Sequence, residues 1–155
     1  MNKKLSQIIA SASPIEIIGN ADINISGIAS DSRKIAKGWL FVAVHGVNID
    51  GHKFIPDVIA AGACAVVCEK FPEKTPDGVT FVKVANSAAA LGHIASEWYD
   101  NPSNELKLVG VTGTNGKTTT ATLLYEMTRM MGYKTGLFST VCNYIDTKPV
   151  PATQT

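Results

Sequence analysis

The sequence lacks several features that would place the protein in other classes. It contains no apolar run long enough to span a membrane. The segment after Lys3 and Lys4 is interrupted by polar residues and Pro14, unlike a secretory signal peptide. A formal net charge of +1 without a dense Lys/Arg cluster gives no general attraction for nucleic acid or an anionic membrane. We therefore expect a cytoplasmic globular protein that neither binds nucleic acid nor inserts into a membrane.

Cysteine is also scarce, which argues against a cysteine-based metal site or redox centre. The three cysteines, Cys64, Cys68 and Cys142, are an odd number and show no Cys-x-x-Cys spacing. Cys64 and Cys68 bracket a short apolar segment, so we interpret both as small core residues of a strand or its ends. A metal or redox role for the cysteines is disfavoured.

Short β-branched segments alternate with short helical patterns, which favours an α/β architecture. We place a domain boundary near Asn86, which gives a small α/β domain at 1–86 and a second domain at 87–155. The second domain would begin with a helix capped by Asn86 and Ser87, and residues 147–155 would be extended or loose. Strands are predicted at 15–18, 23–28, 39–44, 63–68, 79–84, 106–111 and 135–139, and helices at 5–9, 54–61, 87–98 and 117–131.

A variant phosphate-binding loop lies in the second domain. An apolar run at 106–111, read as a buried strand, precedes a turn punctuated by Gly113 and Gly116, and a helical pattern begins at Lys117. Strand, glycine turn and helix N-terminus form a cradle for phosphate, in which Lys117 would reach the terminal phosphates and Thr118 would ligate Mg²⁺. The strict pattern requires glycine at the position of Val111, so this is a variant loop. A plain glycine turn with an exposed lysine is the alternative, and the correct flanking elements disfavour it.

The second domain is short for an independent core. Only roughly 50 residues follow Asn104, close to the lower limit for autonomous folding, and no later strand offers an acidic residue for Mg²⁺. We expect that the chain is the N-terminal piece of a longer enzyme. Its second part alone would be marginally stable, prone to aggregation or stabilised by self-association.

Two polar segments of the first domain are candidate ligand contacts. Ser30-Asp31-Ser32-Arg33 follows a predicted strand, where hydroxyls can bind a base edge and Arg33 a diphosphate, although composition alone favours an ordinary turn. The loop from His45 to His52 contains two glycines, which suit either close approach to a ligand or a plain loop. Its histidines are interpreted as hydrogen-bonded loop residues rather than metal ligands, because no Cys/His/carboxylate set accompanies them.

Three stretches resemble the Mur ligase superfamily. Residues 111–119, Val-Thr-Gly-Thr-Asn-Gly-Lys-Thr-Thr, resemble its ATP loop, which has the same valine in place of glycine. Residues 31–46, from Asp-Ser-Arg-Lys to Phe-Val-Ala-Val-His-Gly, and residues 50–55, Asp-Gly-His-Lys-Phe-Ile, resemble the uridine-nucleotide domain of the member that adds the third peptide residue. The resemblance covers nearly the whole chain.

The resemblance implies an ATP- and Mg²⁺-dependent ligase of cytoplasmic peptidoglycan precursor synthesis. Such an enzyme joins meso-diaminopimelate or L-lysine to UDP-N-acetylmuramoyl-L-alanyl-D-glutamate through an acyl phosphate, and its diamino acid is selected by a C-terminal domain that this chain does not include. The D-alanyl-D-alanine-adding member and, for this chain alone, a non-catalytic UDP-sugar-binding module are the alternatives. By resemblance, Lys117 is catalytic, the ATP contacts are Gly113, Thr114, Asn115, Gly116, Lys117, Thr118 and Thr119, with Thr118 on Mg²⁺, and the UDP-sugar contacts are Ser30, Ser32, Val47, Asn48, Ile49, Gln154 and Thr155.

Overall fold

Two compact units make up the chain, Met1–Leu106 and Lys107–Thr155. The computed structural model describes residues 2–46 and 49–151. The first unit therefore ends later than the boundary predicted near Asn86. The reason is that the helix after Asn86 buries Ala90, Ile94 and Trp98 in the core of the first unit.

The first unit is an α/β domain built on a mixed sheet, as the alternation of segments predicted. Among the described residues, no helix is long and apolar enough to cross a membrane. In chain order, the elements of this unit are β1 (Lys3–Lys4), α1 (Leu5–Ile9), β2 (Glu16–Ile18), β3 (Asn24–Ile25), β4 (Gly27–Ala29), β5 (Trp39–Val42), α2 (Ile55–Ala60), β6 (Ala65–Cys68), β7 (Thr80–Lys83) and α3 (Ser87–Trp98), with 3₁₀ turns at Ala10–Ala12, Ser32–Lys34, Gly51–Phe54 and Pro102–Glu105.

The main sheet has five strands in the order β2-β7-β6-β5-β4. The four strands β4 to β7 run parallel, and β2 closes one edge in the antiparallel direction. The predicted strand at 23–28 divides into two, because β3 pairs with β1 in a separate two-stranded sheet and β4 pairs with β5. Because these four strands are parallel, their carboxyl ends all lie at the same edge of the sheet.

Both faces of the main sheet are covered, and successive residues of its strands alternate between two cores. In β5, Leu40 and Val42 pack in the cluster with α1 and α3, whereas Phe41 packs in the cluster with α2. β6 alternates in the same way and is buried along its whole length, as expected for a strand in the interior of a parallel sheet. Asn86 caps α3 as predicted, since its side chain accepts a hydrogen bond of 2.9 Å from the N–H of Ala89.

The cysteines of the first unit are core residues, as their spacing with apolar neighbours predicted. Cys68 is buried at the end of β6, and burial raises the pKa of its thiol to about 11. Burial also raises the pKa of the Cys64 thiol. Both therefore remain protonated at neutral pH, and nucleophilic or redox chemistry is disfavoured.

The second unit consists of one helix and a small antiparallel sheet. The helix α4 (Lys117–Met130) contacts β8 (Gly136–Leu137), and β8, β9 (Asn143–Ile145) and β10 (Lys148–Val150) form the sheet in the order β10-β9-β8. Tyr125 of α4 is buried and stacks on Tyr144 of β9, with ring centroids 5.3 Å apart. Residues 147–155 were predicted to be extended or loose, and within them β10 is extended, because this strand pairs with β9 in a hairpin.

The buried strand predicted at 106–111 is wrong. Leu108 and Val109 are each 75% exposed, and no strand is assigned to this segment. An apolar strand becomes buried only when neighbouring strands and helices cover it, and the described part of the second unit supplies no strand that pairs with it. The segment is apolar, but its burial would require neighbouring strands and helices that cover it.

We expect limited proteolysis to cut the chain first between Leu106 and Gly116. This segment has no regular structure and is largely exposed, whereas the chain forms the helix α3 before it and the helix α4 after it. Mass spectrometry of early fragments from a low dose of a non-specific protease would locate the cut. Equal protection on both sides of residue 104 in a monodisperse monomer would contradict the marginal stability predicted for the second unit.

Candidate functional site

The first candidate site lies at the carboxyl edge of the parallel sheet. Ser30 directly follows β4, and the loop that begins with Ala43 directly follows β5. Because β4 and β5 are parallel neighbours, with Ala29 beside Phe41, both segments leave the sheet at the same edge. Ligands of open α/β sheets bind at this edge. The structure thus brings the region of the predicted contacts Ser30 and Ser32 near the loop that contains Ile49.

An Asp–Arg pair shapes the segment after β4. The Asp31 carboxylate accepts hydrogen bonds from the Arg33 side chain, from Nε at 2.9 Å and from Nη2 at 2.8 Å, and one from the Arg33 backbone N–H at 3.1 Å. These bonds lower the pKa of Asp31 to about 2. Ser30 is exposed and Ser32 is half-buried beside this pair. The edge of the Arg33 guanidinium formed by Nε and Nη2 is thus held by Asp31, while the side chain remains 86% exposed and accessible to an anion.

The loop after β5 is a short antiparallel ribbon. His45 and Asp50 form an isolated β-bridge, the N–H of Gly46 donates to the Ile49 carbonyl at 3.0 Å, and the N–H of Gly51 donates to the Val44 carbonyl at 2.9 Å. Of the predicted contacts in this loop, Ile49 is described, and its side chain is exposed. The predicted contacts Val47, Asn48, Gln154 and Thr155 lie outside the described residues.

Replacing Gly51 with alanine should distort this ribbon and lower the stability of the first unit. A Cβ atom on residue 51 would lie 2.7 Å from the Val44 carbonyl oxygen and 2.9 Å from the Val44 nitrogen, and backbone atoms cannot move aside cheaply. We expect a loss of about 1–3 kcal/mol in the free energy of unfolding, measured by urea denaturation. Gly92→Ala is the matched control, because its Cβ would meet nothing within 4 Å on α3. Equal stability of the two variants would contradict this packing.

A polar network joins the ribbon to the rest of the sheet edge. The Asp50 carboxylate accepts from the His52 N–H at 2.9 Å and lies 2.7 Å from His52 Nδ1, and its other oxygen lies 3.4 Å from His45 Nδ1. The hydrogen bonds from His52 lower the pKa of Asp50 to about 2. On the far side of the ring, His52 Nε2 accepts from the Glu69 N–H at 2.9 Å. The two histidines are thus loop residues whose Nδ1 atoms face the Asp50 carboxylate.

Glu69 was not selected from the sequence, although it directly follows β6. Its carboxylate accepts from both the N–H and the hydroxyl of Ser87, each at 2.8 Å, and these bonds lower the pKa of Glu69. The position of Glu69 directly after a predicted strand could have marked it as a candidate. The sequence does not show that Ser87 would donate hydrogen bonds to its carboxylate. A cavity of about 300 Å³ opens beside this network, and it is lined by His45, Asp50, His52, Ile55, Glu69, Lys70, Phe71 and Pro72.

The second candidate site is the glycine loop before α4. Gly113 and Gly116 have φ values of 148° and 75°, which L side chains rarely adopt, and a Cβ on Gly116 would meet nothing within 4 Å. Gly116 is the N-cap of α4 and supplies no side-chain cap. The N–H groups of the first helical turn therefore have no acceptor within the helix, and they face the end at which the helix dipole is positive. This geometry suits an anion such as phosphate.

Lys117 occupies the first position of α4 and folds over the glycine loop. Its Nζ donates to the carbonyl oxygen of Gly113 and, at 3.3 Å, to that of Thr114. The ammonium group therefore lies within the loop, where a bound phosphate would replace the carbonyls as its partner. Thr118 is half-buried, and the other predicted ATP contacts, Thr114, Asn115 and Thr119, are exposed around the loop.

The described residues contain no group of three or more His, Cys, Asp or Glu side chains that could hold a metal ion. The Thr118 hydroxyl is a single oxygen ligand of the hard type that Mg²⁺ prefers. An ion at this position would therefore take most of its ligands from water and from phosphate oxygens. That arrangement is common for Mg²⁺ bound with a nucleotide, since this ion retains several waters.

Each of the two units matches a model of a known protein family. Residues 24–99 match the family described as "Mur ligase family, catalytic domain", and residues 111–155 match the "Mur ligase middle domain". The chain is 52% identical over 152 residues to a UDP-N-acetylmuramoyl-L-alanyl-D-glutamate–2,6-diaminopimelate ligase of Bacteroides fragilis. It is 55% identical over 153 residues to the protein of the same name from Cytophaga hutchinsonii. These alignments cover 98% of this chain but only 31% and 32% of the relatives.

Solved structures show the same relationship. A structure titled as a UDP-N-acetylmuramoyl-L-alanyl-D-glutamate–2,6-diaminopimelate ligase matches 97% of this chain with a TM-score of 0.72 and 25% identity, over 30% of its own length. The MurF ligase of Thermotoga maritima, solved in complex with ADP, matches 66% of this chain with a TM-score of 0.50 and 31% identity, over 23% of its own length. The chain thus spans between about a quarter and a third of the length of these proteins.

Proposed function

Because this chain belongs to the Mur ligase family, we propose that it forms the first part of an ATP-dependent ligase that extends UDP-N-acetylmuramoyl-L-alanyl-D-glutamate with 2,6-diaminopimelate. The observation that carries the proposal is the identity of about half of all residues, across both units, to ligases with this printed name. The reaction would be a cytoplasmic step in the synthesis of peptidoglycan precursors. Those relatives are named for diaminopimelate, which favours it over L-lysine as the added residue.

We assign the uridine-nucleotide end of the substrate to residues 1–106, which extends the predicted domain to the end of α3 and the following turn. Exposed Ser30, half-buried Ser32 and the ribbon tip at Ile49 leave the sheet at the edge where α/β domains bind ligands. Hydroxyls and backbone groups can bind the edge of a pyrimidine, and the oriented Arg33 can attract the diphosphate. Val47, Asn48, Gln154 and Thr155 are assigned to the same substrate by resemblance alone.

We assign ATP to the glycine loop and the first turn of α4, with Gly113 to Thr119 as its contacts. The positive φ values, the open space at Gly116 and the inward-facing ammonium of Lys117 fit a triphosphate. Mg²⁺ bound with the nucleotide would be held on the protein side by Thr118, and it would neutralise phosphate charge. Lys117 would stabilise the charge on the phosphoryl group as it moves to the substrate.

In the proposed reaction, the γ-carboxylate of the D-glutamyl residue accepts the terminal phosphoryl group of ATP, which gives an acyl phosphate and ADP. The amine of the diamino acid then attacks the acyl carbon, an amide bond forms and inorganic phosphate leaves. The residues described for this chain bind and orient the first two substrates. The groups that bind the diamino acid would belong to the remaining two thirds of such a ligase.

Calorimetric titration tests the proposal on this chain directly. We expect the chain to bind UDP-N-acetylmuramoyl-L-alanyl-D-glutamate through its first unit and Mg·ATP through its second, without turnover of ATP. Separate titrations with UDP and with UDP-N-acetylmuramoyl-tripeptide report on the nucleotide end and on the peptide end. Failure to bind either UDP or the dipeptide substrate would contradict the assignment of the first unit, and steady ATP hydrolysis by this chain alone would contradict its role as a binding part.

A further inference from the structure

The turn that follows β4 holds the carboxylate of Asp31 in a fixed place. Asp31 is the N-cap of the 3₁₀ turn Ser32–Lys34, in which its carboxylate accepts the N–H of Arg33 at 3.1 Å and its carbonyl accepts the N–H of Lys34 at 3.0 Å. β4 precedes this turn, and Ile35, which follows it, packs against the core cluster that contains α2. Because both ends of the turn are attached to packed elements, the backbone determines where the Asp31 carboxylate lies.

The Asp31 carboxylate also fixes one edge of the Arg33 side chain. Nε donates to one carboxylate oxygen at 2.9 Å, and Nη2 donates to the other at 2.8 Å. A guanidinium group has further N–H donors, on Nη1 and on the outer side of Nη2. The end of the group that carries Nη1 and Nη2 matches two oxygens of a phosphate. The side chain is 86% exposed, which leaves room for an anion at that end.

We propose that Asp31 is a positioning residue, which holds the Arg33 guanidinium in the orientation in which its free end binds the diphosphate of the uridine nucleotide. This inference rests on the proposed assignment of that nucleotide to the segment after β4. An arginine side chain as exposed as this one samples many rotamers when nothing holds it, and a ligand must then restrict them at the cost of affinity. The contact with Asp31 makes this restriction before the ligand binds.

Orientation and charge make opposite contributions to anion binding at this pair. The Asp31 carboxylate is ionised at neutral pH, because the hydrogen bonds from Arg33 lower its pKa, and its negative charge repels a diphosphate. Asp31→Asn removes this charge, and the amide oxygen can still accept the backbone N–H of residue 33 as the cap of the turn. The amide nitrogen would face Nη2, so that the contact through both oxygens is lost. Charge alone therefore predicts tighter binding of UDP by this variant, whereas loss of orientation predicts weaker binding.

The test is calorimetric titration of UDP into the wild-type chain, Asp31→Asn, Arg33→Ala and the double variant. We expect Asp31→Asn to weaken UDP binding by about two- to fivefold and Arg33→Ala to weaken it by about tenfold. The double variant should bind UDP no more weakly than Arg33→Ala, because Asp31 acts through Arg33. Asp22→Asn is the matched control, since it removes an exposed carboxylate of the same unit, which pairs with Lys4 at 2.6 Å. It should bind UDP as the wild type does.

Uridine, which has the base and the ribose but no phosphate, separates the diphosphate contact from a general change in the turn. We expect its affinity, measured by NMR titration, to agree within about twofold among the wild type, Asp31→Asn and Arg33→Ala. The urea midpoints of these variants should match that of the wild type, because the pair lies at the surface.

Three results would overturn the role of Asp31: equal or tighter binding of UDP by Asp31→Asn, a parallel loss of uridine affinity in that variant, or a double variant that binds UDP more weakly than Arg33→Ala. Absence of UDP binding by the wild-type chain would overturn the assignment of the nucleotide to the first unit, and the proposal with it. A wild-type chain that binds UDP limits any failure to Asp31 and leaves that assignment intact.

Discussion

Replacing Lys117 with alanine in the intact ligase should abolish measurable ligation and leave uridine-nucleotide binding nearly unchanged. Lys117 supplies the only side-chain ammonium that the described structure places within the glycine loop, where it contacts the carbonyls of Gly113 and Thr114. Loss of one preorganised group that stabilises transferring charge lowers kcat by about 10²–10³-fold. Weaker binding of Mg·ATP would add to that loss, because the remaining loop offers N–H groups but no full charge.

The measurement is release of ADP in the presence of the dipeptide substrate and the diamino acid, together with titration of UDP. Lys134→Ala is the matched control, because Lys134 is an exposed lysine of the same unit that follows α4. It should retain both activities. Normal turnover by the Lys117 variant would refute the role of this residue, and a parallel loss of UDP affinity would indicate that the substitution disturbs more than the ATP loop.

Replacing Phe41 with alanine should strongly destabilise the first unit and lower its urea midpoint. Phe41 is fully buried in β5, beside Val66 of β6, and it packs in the core between the sheet and α2. Truncation of a buried phenylalanine costs about 3–5 kcal/mol, a large share of the roughly 5–15 kcal/mol that stabilises a typical domain. Loss of far-UV circular dichroism and of UDP binding would both report the effect.

Leu108→Ala provides the contrast to Phe41→Ala, because both positions lie in apolar segments that the sequence predicted as strands. Leu108 is 75% exposed, so its truncation removes little buried area and should change the urea midpoint of this chain very little. A loss comparable to that of Phe41→Ala would show that residues 106–111 are buried in solution. Such a result would contradict the exposure observed for this segment.

β5 and residues 106–111 are both apolar runs, yet only β5 is buried, so an apolar run alone does not predict burial. β5 is a run of apolar residues flanked by turns, and so is the segment at 106–111. The first is buried because β4 and β6 pair with it on both sides. The second has no such partners among the described residues. An apolar run therefore indicates a capacity for burial, and neighbouring elements decide whether that burial occurs.

The position of the domain boundary likewise could not be predicted from a local pattern. The amphipathic pattern of α3 and its Asn86 cap were visible in the sequence, and both are present in the structure. The pattern did not indicate which unit the apolar face would cover. That face packs with Leu5 and Ile8 of α1, more than eighty residues earlier in the chain, so the first unit continues to Leu106.

The sequence by itself determined the features that depend on neighbouring residues: the strands of the main sheet, the capped helix α3, and the glycine loop with Lys117 at the start of α4. These features arise from the period of apolar side chains, from hydrogen bonds between residues close in the chain, and from the backbone freedom of glycine. The tertiary structure alone decided that His52 meets Glu69, that Glu69 meets Ser87, and that residues 106–111 are exposed. Contacts of this kind depend on how distant segments pack, and no local pattern encodes them.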